Sequence, residues 1–190
     1  MGKIKIKIFV VALVAALMTF ISTSSLAFYT TVGKATNVVT SGNIQFIIHE
    51  MTDQGKEFPI EGVYIIPGDI VSKEVTIESD CSHPFYLRVK MVYGVNSREL
   101  SLEDCFKLNI NEQHWVLHDG WYYYNGIVNP GETTPNVFSH VEIVGDTVDN
   151  TYIGKTLTLT VNAQAVQSEN NPITDGKTYT ALGWPSEVTE

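Results

Sequence analysis

The feature that most constrains this chain is a long stretch of strict alternation at residues 156–166. Threonine, asparagine and glutamine alternate there with leucine, valine and alanine. Successive side chains of an extended strand point to opposite faces of a sheet, so a period of two predicts a strand with one buried face. An amphipathic helix would instead repeat its apolar residues with a period of 3.6.

Shorter segments of the same kind occur earlier in the chain. Residues 85–93 alternate cleanly, which places Arg88 and Lys90 on the solvent face, and Val71, Val75 and Ile77 share one face of another strand. Short runs rich in Val, Ile, Thr, Tyr and Phe between turn residues are typical of sandwiches and barrels. The remaining predicted strands cover residues 43–49, 115–118 and 121–124.

Turn residues separate these predicted strands. Pro67-Gly68 and Pro130-Gly131 each have the order of a type II turn, in which glycine adopts a positive φ. Asp119-Gly120 predicts a tight hairpin between two aromatic-rich strands. Helical periodicity is scarce after residue 27, and no linker divides the chain. We therefore expect a single all-β domain with mainly antiparallel strands.

The N-terminus has the three parts of a secretory signal peptide. Lys3, Lys5 and Lys7 precede an apolar run at residues 8–21, and Ser25-Leu26-Ala27 offers small residues to a signal peptidase. The alternative is a retained membrane anchor, although a spanning helix needs about 20 apolar residues. We expect cleavage between Ala27 and Phe28, and hence a secreted, extracellular protein.

This interpretation divides the chain into four parts. They are a signal peptide (1–27), an N-terminal segment (28–41), a β-sandwich domain (42–167) and a polar C-terminal tail (168–190).

The charge of the chain argues against nucleic acid as a partner. The net charge is −9, and removing the leader would remove three lysines and no acidic residue. Phosphate backbones and anionic lipids would repel so acidic a protein.

No motif in the sequence predicts a catalytic, cofactor or metal site. His114 and His118 are four residues apart, as in the zinc motif HExxH, but Trp115 occupies the position of the catalytic glutamate. The segment is also strand-like, which separates two side chains at that spacing by roughly 13 Å. Cys81 and Cys105 either form a disulfide or remain two separate thiols, and the sequence leaves both alternatives open.

The aromatic run 121–124 has two interpretations. Alternation sends Trp121 and Tyr123 to one face of the strand and Tyr122 and Tyr124 to the other. One face would then belong to the core, and the other to an edge or contact surface. An exposed aromatic platform for sugar is the alternative.

Several segments taken together resemble the TasA/camelysin (CalY) family of exported Gram-positive proteins. In chain order they are AFYT (27–30), ATNVVTSGNI (35–44), IPGDIVSK (66–73), PFYLRVK (84–90), DGWYYYN (119–125), PGETT (130–134) and AQAVQ (163–167). The resemblance implies a jelly-roll-like β-sandwich, export through a SipW-type signal peptidase, and a role in extracellular biofilm fibres. Camelysin-type peptidase activity is not carried over, because HExxH is absent.

In fibres of this family, the N-terminal segment of one subunit adds as a strand to the next. An edge strand exposes unpaired backbone groups that can accept such a strand, and head-to-tail contacts build filaments. The candidate donor residues are Phe28, Tyr29, Thr31, Val32, Val38 and Val39. The alternative is that the segment forms the domain's own first strand. Self-association, the signal peptidase and other matrix proteins are the expected partners, and an exported peptidase or a surface adhesin are the alternative functions.

Overall fold

The structure is a computed structural model that describes residues 28–30, 38–40, 44–95, 98–99, 105–146 and 155–185. The predicted signal peptide, including Ala27, lies outside the described residues, as do Thr31 and Val32. The described strands are β1 (Phe28–Thr30), β2 (Val38–Thr40), β3 (Phe46–Met51), β4 (Val63–Ile65), β5 (Ile70–Ser72), β6 (Glu74–Ser79), β7 (Phe85–Val95), β8 (Arg98–Glu99), β9 (Phe106–Leu108), β10 (Trp115–His118), β11 (Trp121–Tyr124), β12 (His140–Ile143) and β13 (Thr156–Gln167).

The longest strands, β7 and β13, form the centre of the larger sheet. They pair antiparallel without interruption from Leu157 opposite Val95 to Gln167 opposite Phe85. The strand order of this sheet is β10-β11-β7-β13-β1-β4, with β2 also paired to β13 and β8 to β7. The predicted alternation of β13 is confirmed, because its buried residues alternate with half-buried ones from Thr156 to Ala163.

The second layer consists of β3 paired with β6, and of β5 and β9 on either side of β12. Backbone hydrogen bonds join these two groups. Val75 N–H donates to the Phe138 carbonyl at 3.1 Å, Val137 N–H to the Val75 carbonyl at 2.8 Å, and Thr134 N–H to the Ile77 carbonyl at 2.8 Å. The segment that precedes β12 therefore continues the pairing along β6. Lys73 interrupts the predicted strand 71–78 and separates β5 from β6.

A single buried cluster lies between the two layers. It includes Leu87 from β7 and Leu159 from β13 on one side, and Ile77 from β6 and Val141 from β12 on the other. Its fully enclosed members also include the large ring of Phe85. Apolar residues from facing sheets that bury one another are the defining feature of a sandwich. The prediction of an all-β antiparallel sandwich is confirmed.

The turns match the sequence prediction. Gly68 and Gly131 follow proline with φ of 90° and 73°. Asp119 and Gly120 both have positive φ, 48° and 77°, which is the type I′ geometry that suits the right-handed twist of a hairpin. Trp115 pairs with Tyr124 and His118 with Trp121 across this turn.

The expectation that Arg88 lies on the solvent face is wrong in one respect. Alternation correctly turns its side chain away from the main core, but the side chain is buried, with 8% of the residue exposed. The reason is that residues 178–185 of the C-terminal tail lie over this outer face, with Pro185 hydrogen-bonded to the Arg88 guanidinium. A short 3₁₀ helix (Thr178–Thr180) lies in this part of the tail.

Shortening a side chain of β13 to alanine should lower the free energy of unfolding much more at a core position than at a surface position. We expect Leu159→Ala to lower the free energy of unfolding by about 2–5 kcal/mol, because Leu159 is almost fully buried in the main cluster. The neighbouring Thr158→Ala is the matched control on the opposite face, with an expected loss of about 1 kcal/mol or less. Urea denaturation measures both. Equal losses would contradict the assignment of the two faces.

Candidate assembly interface

The N-terminal segment occupies a slot in the larger sheet. β1 lies between two strands, pairing parallel with β13 (Tyr29 opposite Thr156) and antiparallel with β4 (Tyr29 opposite Tyr64). It therefore forms a middle strand of the sheet, although it comes first in the chain. We call the space that β1 fills between β4 and β13 the strand slot.

β2 continues the same arrangement farther along β13. Val38 pairs with Ala163 and Thr40 with Ala165, again in parallel orientation. β1 and β2 thus pair with one side of β13, while β7 pairs along the other side. The parallel pairing with β13 covers two residue pairs in β1 and three in β2, and parallel pairing is slightly less stable per residue than antiparallel pairing.

The residues that line the strand slot belong to the core. Ile65 of β4 and Leu157 of β13 are buried in the main cluster, and so are Ala163 and Ala165 of β13, which lie opposite β2. Without β1 and β2, this side of β13 would present unpaired N–H and C=O groups at residues 156–157 and 163–165, beside buried apolar side chains. Such an edge is a template for another strand.

The predicted donor residues are only partly within the described chain. Phe28 and Tyr29 lie in β1, and Val38 and Val39 lie in β2. In this single chain the segment pairs with its own domain, which is the alternative that the sequence left open. A segment from a second chain would have to replace the pairing of β1 with β4 and β13 and the pairing of β2 with β13.

β4 forms one edge of the larger sheet. It pairs with β1 on one side, and β1 is its only partner strand in the described sheet order. Tyr64 is 74% exposed and Ile66, just after the strand, is 53% exposed. The strand is only three residues long, a length that limits uncontrolled edge-to-edge association.

The outer face of the larger sheet carries a second cluster centred on Arg88. Its guanidinium lies 4.2 Å from the ring centre of Trp121 and 4.9 Å from that of Trp184. It donates to the Gln164 side-chain oxygen, to the Tyr123 hydroxyl at 2.8 Å and to the Pro185 carbonyl at 2.9 Å. These contacts combine cation–π stacking with hydrogen bonds to a largely desolvated charge.

The described part of the C-terminal tail covers this cluster. Tyr179 stacks on His118 with ring centres 4.0 Å apart, and the Thr178 hydroxyl donates to the Tyr124 carbonyl at 2.7 Å. Trp121 and Tyr123 are consequently buried. The predicted division of the aromatic run between two faces holds, since Tyr122 and Tyr124 join the main core. Burial of Trp121 and Tyr123 disfavours the sugar-platform interpretation.

The histidines and cysteines are held in separate local contacts. His49 is hydrogen-bonded to Glu78 at 2.7 Å, and the His114 backbone N–H donates to the Asn111 carbonyl at 3.0 Å. Cys81 Sγ donates to the His83 carbonyl at 3.0 Å, and no disulfide joins Cys81 to Cys105 in the structure. No group of three or more His, Cys, Asp or Glu residues suited to a metal ion occurs within the described ranges.

A buried lysine lies in the second layer, and the sequence analysis missed it. Lys73 has a fully buried side chain, and its Nζ is 2.9 Å from Oε1 of Glu50, whose side chain is 16% exposed. Burial lowers the pKa of the Lys73 amine, and the charge and hydrogen-bonding capacity of Glu50 partly oppose that shift. The sequence contained an indication of this burial. Lys73 is spaced by two residues from Val71 and Val75, so alternation places it on the same face of the strand as these residues and Ile77.

No helix in the described part of the chain is long and apolar enough to cross a membrane. Comparison with protein families, with curated proteins and with solved structures found no match. The resemblance to the TasA/camelysin family therefore rests on the sequence segments themselves.

The Arg88 cluster should anchor the tail to the sheet. We expect Arg88→Ala to lower the free energy of unfolding by about 3 kcal/mol, since it leaves the buried Gln164 and Tyr123 groups without their donor. Trypsin should also cut faster after Lys177, within the loosened tail. Urea denaturation and timed proteolysis measure the two effects.

The control for this variant is Lys107→Ala. Lys107 is a largely exposed cation of β9, in the other layer, and its loss should change stability by about 0.5 kcal/mol or less. Unchanged tail proteolysis in Arg88→Ala would show that the guanidinium does not hold the tail.

Proposed function

We propose that this chain is a secreted structural subunit or accessory of extracellular surface or biofilm fibres, assembled by β-strand addition between subunits. The observation that carries the proposal is the strand slot. A short N-terminal segment, directly after the predicted cleavage site, fills a gap between β4 and β13 through backbone pairing. Cleavage after Ala27 would make this segment the new N-terminal end of the protein.

The slot suits exchange between chains. A segment from a neighbouring subunit would make the same parallel pairs with β13 as the chain's own segment, so exchange replaces one set of hydrogen bonds by an identical set. Main-chain hydrogen bonds would supply affinity, and alternate side chains would fix the register.

Exchange of this kind leads to filaments. The donor end of one subunit fills the slot of the next, whose own donor end is then released. This is a head-to-tail contact between two different surfaces, and it continues indefinitely unless the rotation between subunits closes a ring. The acidic composition of the chain favours solubility of the subunits before assembly.

The resemblance to the TasA/camelysin family supports the same function, and so does the predicted signal peptide. Both point to export, and the resemblance alone points to self-association outside the cell. No specific observation favours the peptidase or the adhesin alternative over the fibre subunit.

Removal of the donor segment should abolish assembly. We expect a chain that begins at Gly42 to remain without fibres under conditions in which the chain that begins at Phe28 forms them, because the shortened chain has a slot but no strand to donate. Negative-stain electron microscopy is the measurement, and circular dichroism establishes that the shortened chain is folded. Fibres of equal number and length from the folded Gly42 chain would refute the donor mechanism.

A variant with a pair of introduced cysteines should show whether the N-terminal segment lies in the strand slot of its own subunit or in that of a neighbour. Tyr29 and Thr156 are direct partners in the parallel register, so Tyr29→Cys with Thr156→Cys places two cysteines on neighbouring strands about 4.8 Å apart. After mild oxidation, we expect monomers to form an internal disulfide and fibres to give a covalent ladder on non-reducing gels.

The single variant Tyr29→Cys is the matched control, because it retains the native Cys81 and Cys105 without the new partner. It should give no ladder. Well-formed fibres of the double variant that contain only internally bridged monomers would show that each segment stays in its own subunit.

A further inference from the structure

The most unusual buried group in the sandwich is the amine of Lys73. Its side chain is 0% exposed, and the surrounding cavity is lined by apolar residues from both layers. They include Phe58, whose ring centre lies 5.0 Å from Nζ, together with Phe106 and Leu159. Lysine is among the residues that are least often fully buried in proteins.

Glu50 is the charged partner of this amine, and the contact is incomplete. Nζ is 2.9 Å from Oε1, yet it makes no hydrogen bond of acceptable angle within the described part of the chain. A buried ion pair repays its desolvation only when its geometry is good and further hydrogen bonds satisfy it. As an ion pair, this contact is therefore a poor stabiliser of the core.

The same geometry suits a covalent bond. The carboxyl carbon of Glu50 is one C–O bond beyond Oε1, so it lies within about 4.1 Å of Nζ. Reacting atoms in near-attack arrangements are about 3–3.5 Å apart, so a shift of roughly 1 Å brings the pair into reaction geometry. A lysine desolvated in an apolar pocket is also an activated nucleophile.

We propose that Lys73 and Glu50 form an intramolecular amide bond in the folded protein. The bond would join β3, which carries Glu50, to the junction between β5 and β6, where Lys73 lies. This inference does not depend on the proposed function, because it concerns chemistry inside one subunit.

The reaction balances without an added reagent. A proton passes from the ammonium of Lys73 to the carboxylate of Glu50, which gives a neutral amine and a neutral acid. The amine nitrogen attacks Cδ, the C–OH bond breaks, and one water molecule leaves with the hydroxyl and one amine proton. The product is a neutral amide, so both buried charges disappear from the core.

Such a bond would strengthen an edge. β3 has β6 as its only partner strand among the described strands, so it is an outer strand of the second layer. A covalent tie beside the Glu50–Val75 pair would prevent β3 from peeling away from β6. No disulfide occurs among the described residues, so this amide would be the covalent cross-link of the described domain.

The test is mass spectrometry of protein purified from cells that express the full chain. We expect the intact mass to be one water molecule lower than the mass of the purified sequence, with its N-terminus determined on the same sample. Trypsin should fail to cut at Lys73, so peptide 35–56 should appear joined to peptide 57–88.

Two internal controls protect this result. Asp119-Gly120 and Asp175-Gly176 could also lose water by cyclising to succinimides, so the peptides that span residues 108–155 and 156–177 must show their full masses. Lys107 and Glu142 form an exposed ion pair at 3.4 Å, and trypsin should still cut after Lys107. Cleavage there shows that ionic contact alone does not block the protease.

Lys73→Met is the matched variant, because it keeps an unbranched side chain in the apolar pocket and removes the nucleophile. We expect it to have the full mass of its own sequence and to yield peptide 35–56 unattached. Should that variant fail to fold, the wild-type result still decides the question. Folded wild-type protein with its full mass, cut normally at Lys73, would overturn the proposal and leave a buried ion pair.

Discussion

The uninterrupted pairing of β7 with β13 is the constraint on which the rest of this structure depends. One face of the ladder supplies Leu87, Leu159 and other residues to the core between the layers. The opposite face carries Gln164 and its hydrogen-bond partner Arg88, and Arg88 also donates to the Pro185 carbonyl of the tail. The side of β13 away from β7 receives the N-terminal segment. The core, the tail and the N-terminal segment thus use three different surfaces of the same pair of strands.

Local patterns predicted the parts of the fold that depend on local physics. Alternation is a property of a strand's own residues, so residues 85–93 and 156–166 were recognised with nearly correct limits. The hairpin at Asp119-Gly120 was also recognised, because positive φ at both positions suits these two residues. Short strands such as β9 and β12 were not predicted, since three or four residues carry too little periodicity. The equally short β10 and β11 were predicted because a hairpin turn lies between them.

The missed features depend on partners far away in sequence. Alternation along β7 turns Arg88 away from the main core. Its burial requires Trp184 and Pro185, nearly a hundred residues later in the chain. The burial of Lys73 was not predicted because lysine side chains normally lie in solvent, although strict alternation along the strand places Lys73 on the buried face. The parallel pairing of β1 and β2 with β13 likewise joins the two ends of the domain, and no local pattern specifies which strand an isolated three-residue strand will join.

The strand slot also sets a condition on assembly. Before exchange, the chain's own segment competes for the slot at an effective concentration that is in the millimolar range for short flexible connections. A neighbour's segment offers the same pairs with β13, so it gains nothing in the slot itself. Exchange between dilute subunits would therefore be unfavourable, and the proposed fibres would require either crowding of the subunits or further contacts between them. The exposed Tyr64 and Ile66 beside the slot are well placed to provide such contacts, because any chain that enters the slot passes next to β4.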